Sequence, residues 1–306
     1  MKISPAMWWA RSLATVAISL MTVGNAWAQA GWAIYTMNAD GGDVRNVSQN
    51  NRGSFGAPGW SHDGKRLTYH GVADGSAFTN SHIFVHRLGE VAPDDLGPGS
   101  TPSFSPDDQQ IAFSIADWSG HKLKRGVWVM NADGKNREWI SEGERPRWSH
   151  DGDKMVFTAN VEGFPSLYVY DSVSLERTRI LGPGYSQIIG ATFSPDGSRL
   201  VYVGYNGGSI AENSPNGVLA IVDVRAGAVP EILVRGRVGF HPDWSPAGSR
   251  LLFRVADESA VERLQILNLD GNRAPALLPN QRGKINGNAV WSSDGNRIAF
   301  ASDRDR

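Results

Sequence analysis

Apolar and polar positions follow one pattern that recurs along the chain at a regular interval. In each copy, an aromatic residue is followed by a short polar turn, then by a basic or polar position, and then by a run of apolar residues. Spacings of 44, 44, 45, 51 and 47 residues between the copies indicate an internal structural repeat. The six copies are WSHDGKRLTY from Trp60, FSPDDQQIAF from Phe104, WSHDGDKMVF from Trp148, FSPDGSRLVY from Phe193, WSPAGSRLLF from Trp244 and WSSDGNRIAF from Trp291.

A second apolar pattern alternates with the first and also occurs six times. Its period of two is typical of β-strands, and its Asp-Gly pairs are typical of hairpin turns. Each unit therefore predicts four short strands, and four strands in about 45 residues is the length of a β-propeller blade. The six copies are IYTMNADGG from Ile34, IFVHRLG from Ile83, VWVMNADGK from Val127, LYVYDSV from Leu167, LAIVDVRAG from Leu219 and LQILNLDGN from Leu264.

The two ends of the repeat array predict how the ring closes. The unit at Ile34 lacks its own first two strands, whereas the unit at Trp291 ends after its second strand. Together they complete one blade, which removes the free sheet edges of an open array. We therefore predict an all-β, six-bladed propeller over residues 29–306, with four antiparallel strands per blade and closure by strands from both termini.

The N-terminal residues are typical of a secretory signal. Lys2 and Arg11 supply a basic start, residues 12–24 are mostly apolar, and small residues at Ala26 and Ala28 suit cleavage at about Ala28/Gln29. The apolar run is shorter than the roughly 20 residues that cross a bilayer. The sequence predicts a signal peptide over residues 1–28 and a periplasmic or secreted product that is not inserted in a membrane.

Composition excludes several classes of function. The chain has 30 Lys and Arg against 31 Asp and Glu, a net charge of −1, which argues against a nucleic-acid partner. The absence of cysteine excludes disulfides, thiol catalysis and cysteine-ligated zinc. We expect a monomer without a cofactor.

The repeat, W-S-P-D-G followed by a basic residue, an apolar strand and M-N-A-D-G, resembles that of the TolB-type β-propeller. The resemblance covers residues 31–306. It implies a periplasmic component of the Tol-Pal envelope system, which contacts protein partners, including a lipoprotein, at one face of the propeller. Proteins of this type also carry an α/β domain ahead of the propeller. Only residues 29 and 30 lie between the predicted cleavage site and residue 31, where the resemblance begins, so we expect a relative that consists of the propeller alone.

Variable loops place the candidate binding site on one face of the ring. Loops that join strands two and three, and loops between blades, differ in length and share this face. We predict a channel-mouth site from two sets of residues: Thr101, Arg145, His241 and Asn288, each three residues before an aromatic anchor, and Arg52, Gln187, Arg237 and Lys284 in the preceding loops. Such donors suit a peptide carboxylate or an anionic sugar, although a water-filled channel would also be polar. For recognition by the loops we predict Trp118, His121 and Tyr205.

Catalytic residues are not expected. No G-x-S-x-G motif occurs, and the seven histidines lack the spacing of metal ligands. The Asp residues that recur in the turns are predicted to bond the local backbone. We interpret the chain as a non-catalytic module that binds an envelope protein or peptide; the alternative is a propeller that binds or cleaves extracytoplasmic carbohydrate.

Overall fold

The structure, a computed structural model, describes residues 31–49, 53–73, 80–115, 123–206, 215–271, 273–284 and 286–305. Within those ranges lie 24 strands and no α-helix. In chain order the strands are β1 (Ala33–Asn38), β2 (Arg45–Asn46), β3 (Gly53–Trp60), β4 (Arg66–Ala73), β5 (His82–Arg87), β6 (Asp94–Pro98), β7 (Ser100–Phe104), β8 (Gln110–Ile115), β9 (Gly126–Asn131), β10 (Glu138–Ser141), β11 (Glu144–Trp148), β12 (Lys154–Val161), β13 (Phe164–Asp171), β14 (Arg177–Leu181), β15 (Gln187–Phe193), β16 (Arg199–Tyr205), β17 (Gly217–Asp223), β18 (Glu231–Gly236), β19 (Asp243–Trp244), β20 (Arg250–Ala256), β21 (Glu262–Asn268), β22 (Ala276–Leu277), β23 (Asn286–Trp291) and β24 (Arg297–Ser302).

The strands form six antiparallel sheets of four strands each. Blades 1 to 5 are β3–β6, β7–β10, β11–β14, β15–β18 and β19–β22, and blade 6 combines β23, β24, β1 and β2. The first strands of successive blades contact one another in order, and β23 returns to contact β3. This ring of inner strands surrounds a central channel and confirms the predicted six-bladed propeller.

Blade 6 joins the two ends of the ring. Strand β1 pairs with β24 in antiparallel register from Ala33 opposite Ser302 to Asn38 opposite Arg297. The Tyr35 hydroxyl also donates a hydrogen bond to Asp305 Oδ2 at 2.8 Å. Closure by strands from both ends of the array is therefore confirmed.

The repeated turn after each aromatic anchor is held by its serine and aspartate. In blade 4, Ser194 Oγ donates to Asp196 Oδ1 at 2.5 Å and accepts from the Arg199 backbone N–H at 3.0 Å. The same contacts recur at Ser61, Ser105, Ser149 and Ser292. Hydrogen bonds from the serine hydroxyl and the local backbone lower the pKa of Asp196 to about 2. The turn aspartates thus have the structural role that their repetition predicts.

The aromatic anchors pack between blades, as predicted. Each anchor contacts apolar residues of the preceding blade; Trp291, for example, packs with Leu252 and Leu264 of blade 5. The basic position that follows the turn also has a role in this packing. Arg297 lies over Trp60 with its guanidinium carbon 4.5 Å from the ring centre, and three further blades make the same stack: Arg66 on Phe104, Arg199 on Trp244 and Arg250 on Trp291. The repeated order of aromatic, turn and basic residue therefore joins neighbouring blades at four of the six junctions.

Candidate functional site

Six equivalent residues, within the inner strands or, for His241, just before one, share an unusual backbone conformation. They are the residues three positions before each aromatic anchor, and every one has φ between 46° and 60°: Ala57, Thr101, Arg145, Gly190, His241 and Asn288. In five of the six inner strands the pairing with the second strand shifts at this residue, as at a β-bulge. Five of the six are not glycine, so the surrounding ring must hold them in this conformation.

Hydrogen bonds between blades help to hold these bulges. The Thr101 N–H donates to His70 Nδ1 at 3.2 Å, and the Arg145 N–H donates to Ser114 Oγ at 2.8 Å. Thr101 Oγ1 and Ser114 Oγ are 3.0 Å apart and share a hydrogen bond. Burial and the nearby arginines lower the pKa of His70 to about 3, which keeps its Nδ1 free to accept. In blades 1 and 2, a side chain of the second strand, His70 or Ser114, thus accepts a hydrogen bond from the backbone N–H of the bulge in the next blade.

Arg145 and Gln187 meet in a groove on the face of the variable loops. This variable-loop groove has a volume of about 470 Å³. It is lined by Lys124, Arg125, Glu142–Arg145, Thr158–Asn160, Gly163, Pro165 and Ser186–Ile189. It therefore runs across blades 2, 3 and 4 at the end of the channel where the inner strands begin.

Charged and polar side chains dominate the lining of the variable-loop groove. Arg145 Nη1 donates to Glu144 Oε1 at 2.5 Å, so its charge is partly compensated. Gln187 Oε1 is buried and has no hydrogen-bond donor among the described residues. Ile188 and Ile189 also line the groove, but each is only 3% exposed because it packs into the core between blades. Such a groove can accept an extended polar chain that accepts hydrogen bonds from Arg145.

His241 and Asn288 are buried at their bulges. His241 is 9% exposed, and burial together with Arg145, Arg147 and Arg254 lowers its pKa well below the ordinary value. Its ring is therefore neutral. Asn288 is 2% exposed, and neither atom of its amide group has a hydrogen-bond partner among the described residues.

Arg237 and Lys284, the predicted residues in the loops before blades 5 and 6, lie beside a buried ion pair. Arg254 Nη1 donates to Glu262 Oε2 at 2.5 Å, and both side chains are almost fully buried. The carbonyl oxygen of Arg237 accepts from the Ala256 N–H at 2.9 Å, and that of Lys284 accepts from the Glu262 N–H at 2.7 Å. The backbones of Arg237 and Lys284 thus support this part of the variable-loop face.

The prediction that Tyr205 is an exposed recognition residue is wrong. Tyr205 is the last residue of β16 and is 4% exposed. Its hydroxyl donates to the Val238 carbonyl at 2.5 Å, and its ring meets Phe240 edge to face. The strand continues further than the glycine-rich sequence after it suggests, so Tyr205 packs between blades.

Three other predicted residues, Arg52, Trp118 and His121, and the predicted signal peptide lie outside the described residues.

Sequence reasoning missed a second polar site at the opposite end of the channel. All six residues that directly precede the aromatic anchors line one cavity of about 160 Å³, which we call the channel-end cavity: Gly59, Ser103, Arg147, Thr192, Asp243 and Val290. It opens among the tight turns. Arg147 Nη1 donates to the Pro102 carbonyl at 3.1 Å, and Asp243 Oδ2 accepts from the Trp291 N–H at 2.8 Å. Comparison of the residues one position before each anchor would have singled out both charges.

Histidine and carboxylate side chains do not form a metal centre in the part of the chain that the structure describes. His82 Nδ1 pairs with the Asp95 carboxylate at 2.9 Å. His86 lies 3.3 Å from the Tyr69 hydroxyl and 2.9 Å from the Glu90 carbonyl. Each described histidine of β4 and β5 thus contacts a group of its own or the next blade. No helix in the described part of the chain is long and apolar enough to cross a membrane.

The repeat and the six sheets match a known family. The TolB beta propeller domain matches residues 16–214. The chain belongs to this family. Its relatives include the Tol-Pal system protein TolB of Francisella tularensis subsp. mediasiatica (strain FSC147), 24% identical in an alignment 268 residues long that covers 83% of this chain and 58% of that protein. An uncharacterized protein of Agrobacterium fabrum is 28% identical over 187 residues, 56% of this chain and 62% of that protein. The chain thus spans less than two thirds of the length of these relatives.

Solved structures share the same fold at low sequence identity. TolB from Acinetobacter baumannii superimposes with a TM-score of 0.63 at 18% identity, over 89% of this chain and 64% of that chain. An oligogalacturonate lyase from Vibrio parahaemolyticus gives a TM-score of 0.52 at 17% identity, over 76% of this chain and 70% of that chain. At these identities the likeness shows the propeller fold and carries no activity to this member of the TolB family.

Proposed function

We propose that the chain is an exported, non-catalytic interaction module that binds an envelope protein or peptide through the variable-loop groove. The observation that carries this proposal is the groove itself, an open space of about 470 Å³ that Arg145 lines on the face of the unequal loops. Membership of the TolB family supports a place in the cell envelope, because curated relatives are named Tol-Pal system proteins.

Export follows from the proposed domain organisation. Residues 1–28 act as a signal peptide cleaved at about Ala28/Gln29, and residues 29–306 form the propeller. The mature protein is then a periplasmic monomer. Fractionation of cells that express the full chain, followed by N-terminal sequencing of the periplasmic product, tests this part of the proposal; a product that retains residue 1 in the cytoplasm contradicts it.

The chemistry of the groove favours an extended peptide segment as the ligand. A peptide supplies carbonyl or carboxylate oxygens that can accept hydrogen bonds from the Arg145 guanidinium, and its N–H groups can donate to Glu142 or Glu144 in the lining of the groove. Chain segments of this kind bind grooves by combining backbone hydrogen bonds with a few side-chain pockets.

Site-specific crosslinking distinguishes the two faces of the propeller. A photoreactive residue is placed at the exposed Asn160 on the groove side, and at Lys65 or Lys135 on the tight-turn side as matched controls. We expect a protein crosslink in cells only from the groove side, and its loss in an Arg145→Ala variant. Equal crosslinks from both faces contradict the proposed binding face.

The carbohydrate alternative predicts a different outcome of the same series. If no protein crosslinks from either face, and the purified chain binds acidic oligosaccharides with an affinity that Arg145→Ala reduces, the groove is a saccharide site. Turnover of such a substrate would also contradict the non-catalytic assignment.

A further inference from the structure

On the side of blade 2, the variable-loop groove is lined by two basic residues that contact two tryptophans. Lys124 and Arg125 line the groove just before strand β9, and both residues are exposed. Trp128 of β9 and Trp139 of β10 lie opposite each other in the sheet of blade 2. We call Lys124 and Arg125 together the basic wall of the groove.

Both indole groups hold the main chain of the basic wall. Trp128 Nε1 donates to the Lys124 carbonyl at 2.8 Å, and Trp139 Nε1 donates to the Arg125 carbonyl at 3.0 Å. An indole N–H can only donate, and here the two donors bind the carbonyl groups of two consecutive residues. The orientation of both peptide groups is therefore fixed by blade 2.

The ring of Trp139 also binds the side chain of Lys124. The ammonium nitrogen Nζ lies 3.1 Å from the centre of the ring. A cation over the face of an indole is attracted by the negative face of the ring. An ammonium group has three N–H donors, and the ring covers one side of it, so Lys124 keeps donors for a ligand while its position is restricted.

Gly126 allows the chain to pass this close to β10. It directly follows the basic wall and has φ +140°. A Cβ at this position would collide with the carbonyl oxygen of Ser141 and would lie 2.6 Å from Trp139 Nε1. Glycine is the residue that avoids both contacts and adopts this backbone conformation without strain.

Blade 2 differs from the other five blades at the position of the two tryptophans. The corresponding pairs of the third and fourth strands contain no second aromatic residue: Phe84 with Asp95, Tyr168 with Arg179, Ala220 with Ile232, Gln265 with Leu277 and Tyr35 with Asn46. A blade of this array therefore packs without two indole groups at this position. Their presence in blade 2 needs another reason, and the basic wall that they hold supplies one.

The lining of the groove has more basic than acidic side chains. It contains Lys124, Arg125 and Arg145 against Glu142 and Glu144. Glu144 forms an ion pair with Arg145 at 2.5 Å, which leaves the two charges of the basic wall against the single charge of Glu142. The groove is thus locally positive in a chain of net charge −1. Charge complementarity favours a ligand that places carboxylate groups against blade 2.

We propose that the variable-loop groove binds an acidic peptide segment whose carboxylate groups contact Lys124 and Arg125, an inference that rests on the proposed function. Trp128 and Trp139 are positioning residues, because they hold the basic wall and do not themselves contact the ligand. Side chains that are held before binding lose less conformational freedom when the ligand arrives. The two tryptophans therefore raise the affinity for carboxylate groups.

Selection of peptides by the purified protein tests the preferred chemistry. A phage library of random short peptides is selected on the immobilised protein. Compared with the unselected library, we expect an excess of Asp and Glu, and we expect this excess to disappear when a Lys124→Gln, Arg125→Gln double variant is used. The matched control is a Lys65→Gln, Lys135→Gln double variant, which has the same net charge but is changed on the tight-turn face, and it should retain the excess.

The outcomes of the selection separate this inference from the proposed function. Peptides whose binding needs Arg145 but which show no excess of acidic residues overturn the inference and leave the proposed function standing. If no peptide is selected, both fail. Binding of oligogalacturonate that depends on the basic wall, in the absence of any selected peptide, would make the groove a saccharide site and contradict the peptide ligand.

Calorimetric titration of one selected peptide measures the contribution of the basic wall. The partner of this measurement is the analogue in which each Glu is replaced by Gln and each Asp by Asn. The Lys124→Gln, Arg125→Gln double variant is expected to bind the acidic peptide about tenfold more weakly and the neutral analogue as tightly as the wild type. Lys124→Arg should bind like the wild type, because arginine keeps the charge and also stacks on an indole ring. An equal loss for both peptides contradicts the role of the basic wall.

Substitution of Trp139 tests the positioning role. Trp139→Leu removes the indole donor and the ring beneath Lys124, whereas Trp139→Phe removes the donor alone. Affinity for the acidic peptide is expected to fall about threefold in Trp139→Leu and less in Trp139→Phe, while binding of the neutral analogue stays unchanged. In a chain that already carries Lys124→Gln and Arg125→Gln, Trp139→Leu should have no further effect, because it acts through those side chains.

A purely structural role of the tryptophans gives a different result. Trp139→Leu would then weaken the binding of both peptides equally, and its effect would persist after the basic wall is removed; either observation overturns the positioning role. Trp128→Phe keeps the test decisive if Trp139→Leu does not fold. It removes the donor to the Lys124 carbonyl and keeps a ring against the core between blades 1 and 2. The same difference between the acidic peptide and its neutral analogue is expected, and its absence counts against the proposal.

Discussion

The two ends of the central channel are built from the same repeat in different ways. At the tight-turn end, all six blades contribute the same position, the residue before the aromatic anchor, to one small cavity. At the other end, the variable-loop groove is formed by blades 2, 3 and 4 from segments of unequal length. The comparison teaches that a regular array carries specific chemistry in two places: in the loops that differ, and at those repeated positions where one blade departs from the rest, as Arg147 and Asp243 do.

Loss of the buried Arg254–Glu262 ion pair, at the variable-loop end, should cause the largest decrease in the free energy of unfolding. A Glu262→Gln change leaves the Arg254 charge without its carboxylate in a site closed by Gly239 and Gly287. We expect a decrease of about 3–5 kcal/mol in the free energy of unfolding, measured by urea denaturation at neutral pH. The double variant Arg254→Met with Glu262→Gln is the control, because it removes both charges. If the double variant is no more stable than Glu262→Gln, an unpaired charge is not the cause.

The tight-turn end should show a distinct dependence on pH. The folded-state pKa of Asp243 is raised to about 7, above the ordinary value near 3.9. A carboxyl group with a raised pKa stabilises the fold at low pH, and this contribution is lost as the pH rises through the folded pKa. Between about pH 5 and about pH 8 the wild-type free energy of unfolding should fall by about 2–4 kcal/mol relative to Asp243→Asn. Parallel pH profiles of the two proteins would contradict this.

Close packing between neighbouring bulges should be sensitive to a single methyl group. A Cβ on Gly190 would lie 2.9 Å from the Cα and N of His241, and Gly190 has φ +60°. Gly190→Ala is therefore expected to cost about 1–3 kcal/mol in the free energy of unfolding. Gly197→Ala is the matched control, since Gly197 has φ +70° and no neighbouring atom within 4 Å of the Cβ position. A cost in Gly190→Ala no greater than in Gly197→Ala would show that conformation, and not contact with His241, decides the effect.

The smallest effect expected is a gain in stability at the tight-turn face. Blade 5 has Ala247 where the other turns have aspartate, and Ser245 keeps its bond from the Arg250 N–H at 3.1 Å. Ala247→Asp is expected to restore the missing bond from the serine hydroxyl and add about 0.5–1 kcal/mol at neutral pH. The pKa of the equivalent carboxyl groups is lowered, as at Asp63 and Asp294, so the gain should disappear as the pH falls below about 4. Denaturation at neutral and acidic pH checks both statements, with Ala247→Asn as the control.

The fold was predictable because its periodic elements are local. Alternating strands, Asp-Gly turns and equal spacing of the aromatic anchors predict the blades, and the half-units at Ile34 and Trp291 predict the closure. The bulges were not predictable, because Ala57, Thr101 and Arg145 are not residues that favour a positive φ. Without the bulge, the direction of each side chain relative to the channel cannot be derived from alternation.

The candidate site was predictable only in part. The variable-loop groove contains Arg145 and Gln187, which the comparison of repeats had singled out, whereas His241 and Asn288 are buried at their bulges. Tyr205 was assigned to a loop because glycine-rich sequence follows it. In the structure, β16 pairs with β17 as far as Tyr205, which lies opposite Gly217. Contacts between blades, such as Arg147 with Pro102, join residues 45 positions apart and leave no local signal.

The closure of blade 6 also sets how the molecule would respond to a mechanical load. Because β1 and β24 are antiparallel, Ala33 at the start of β1 lies opposite Ser302 at the end of β24. A force that pulls Ala33 and Ser302 apart loads the backbone hydrogen bonds between the two strands one after another, starting at this end. The ring that resists thermal opening as one cooperative unit should therefore open at low force when pulled by its two ends, and at higher force when pulled across two other blades.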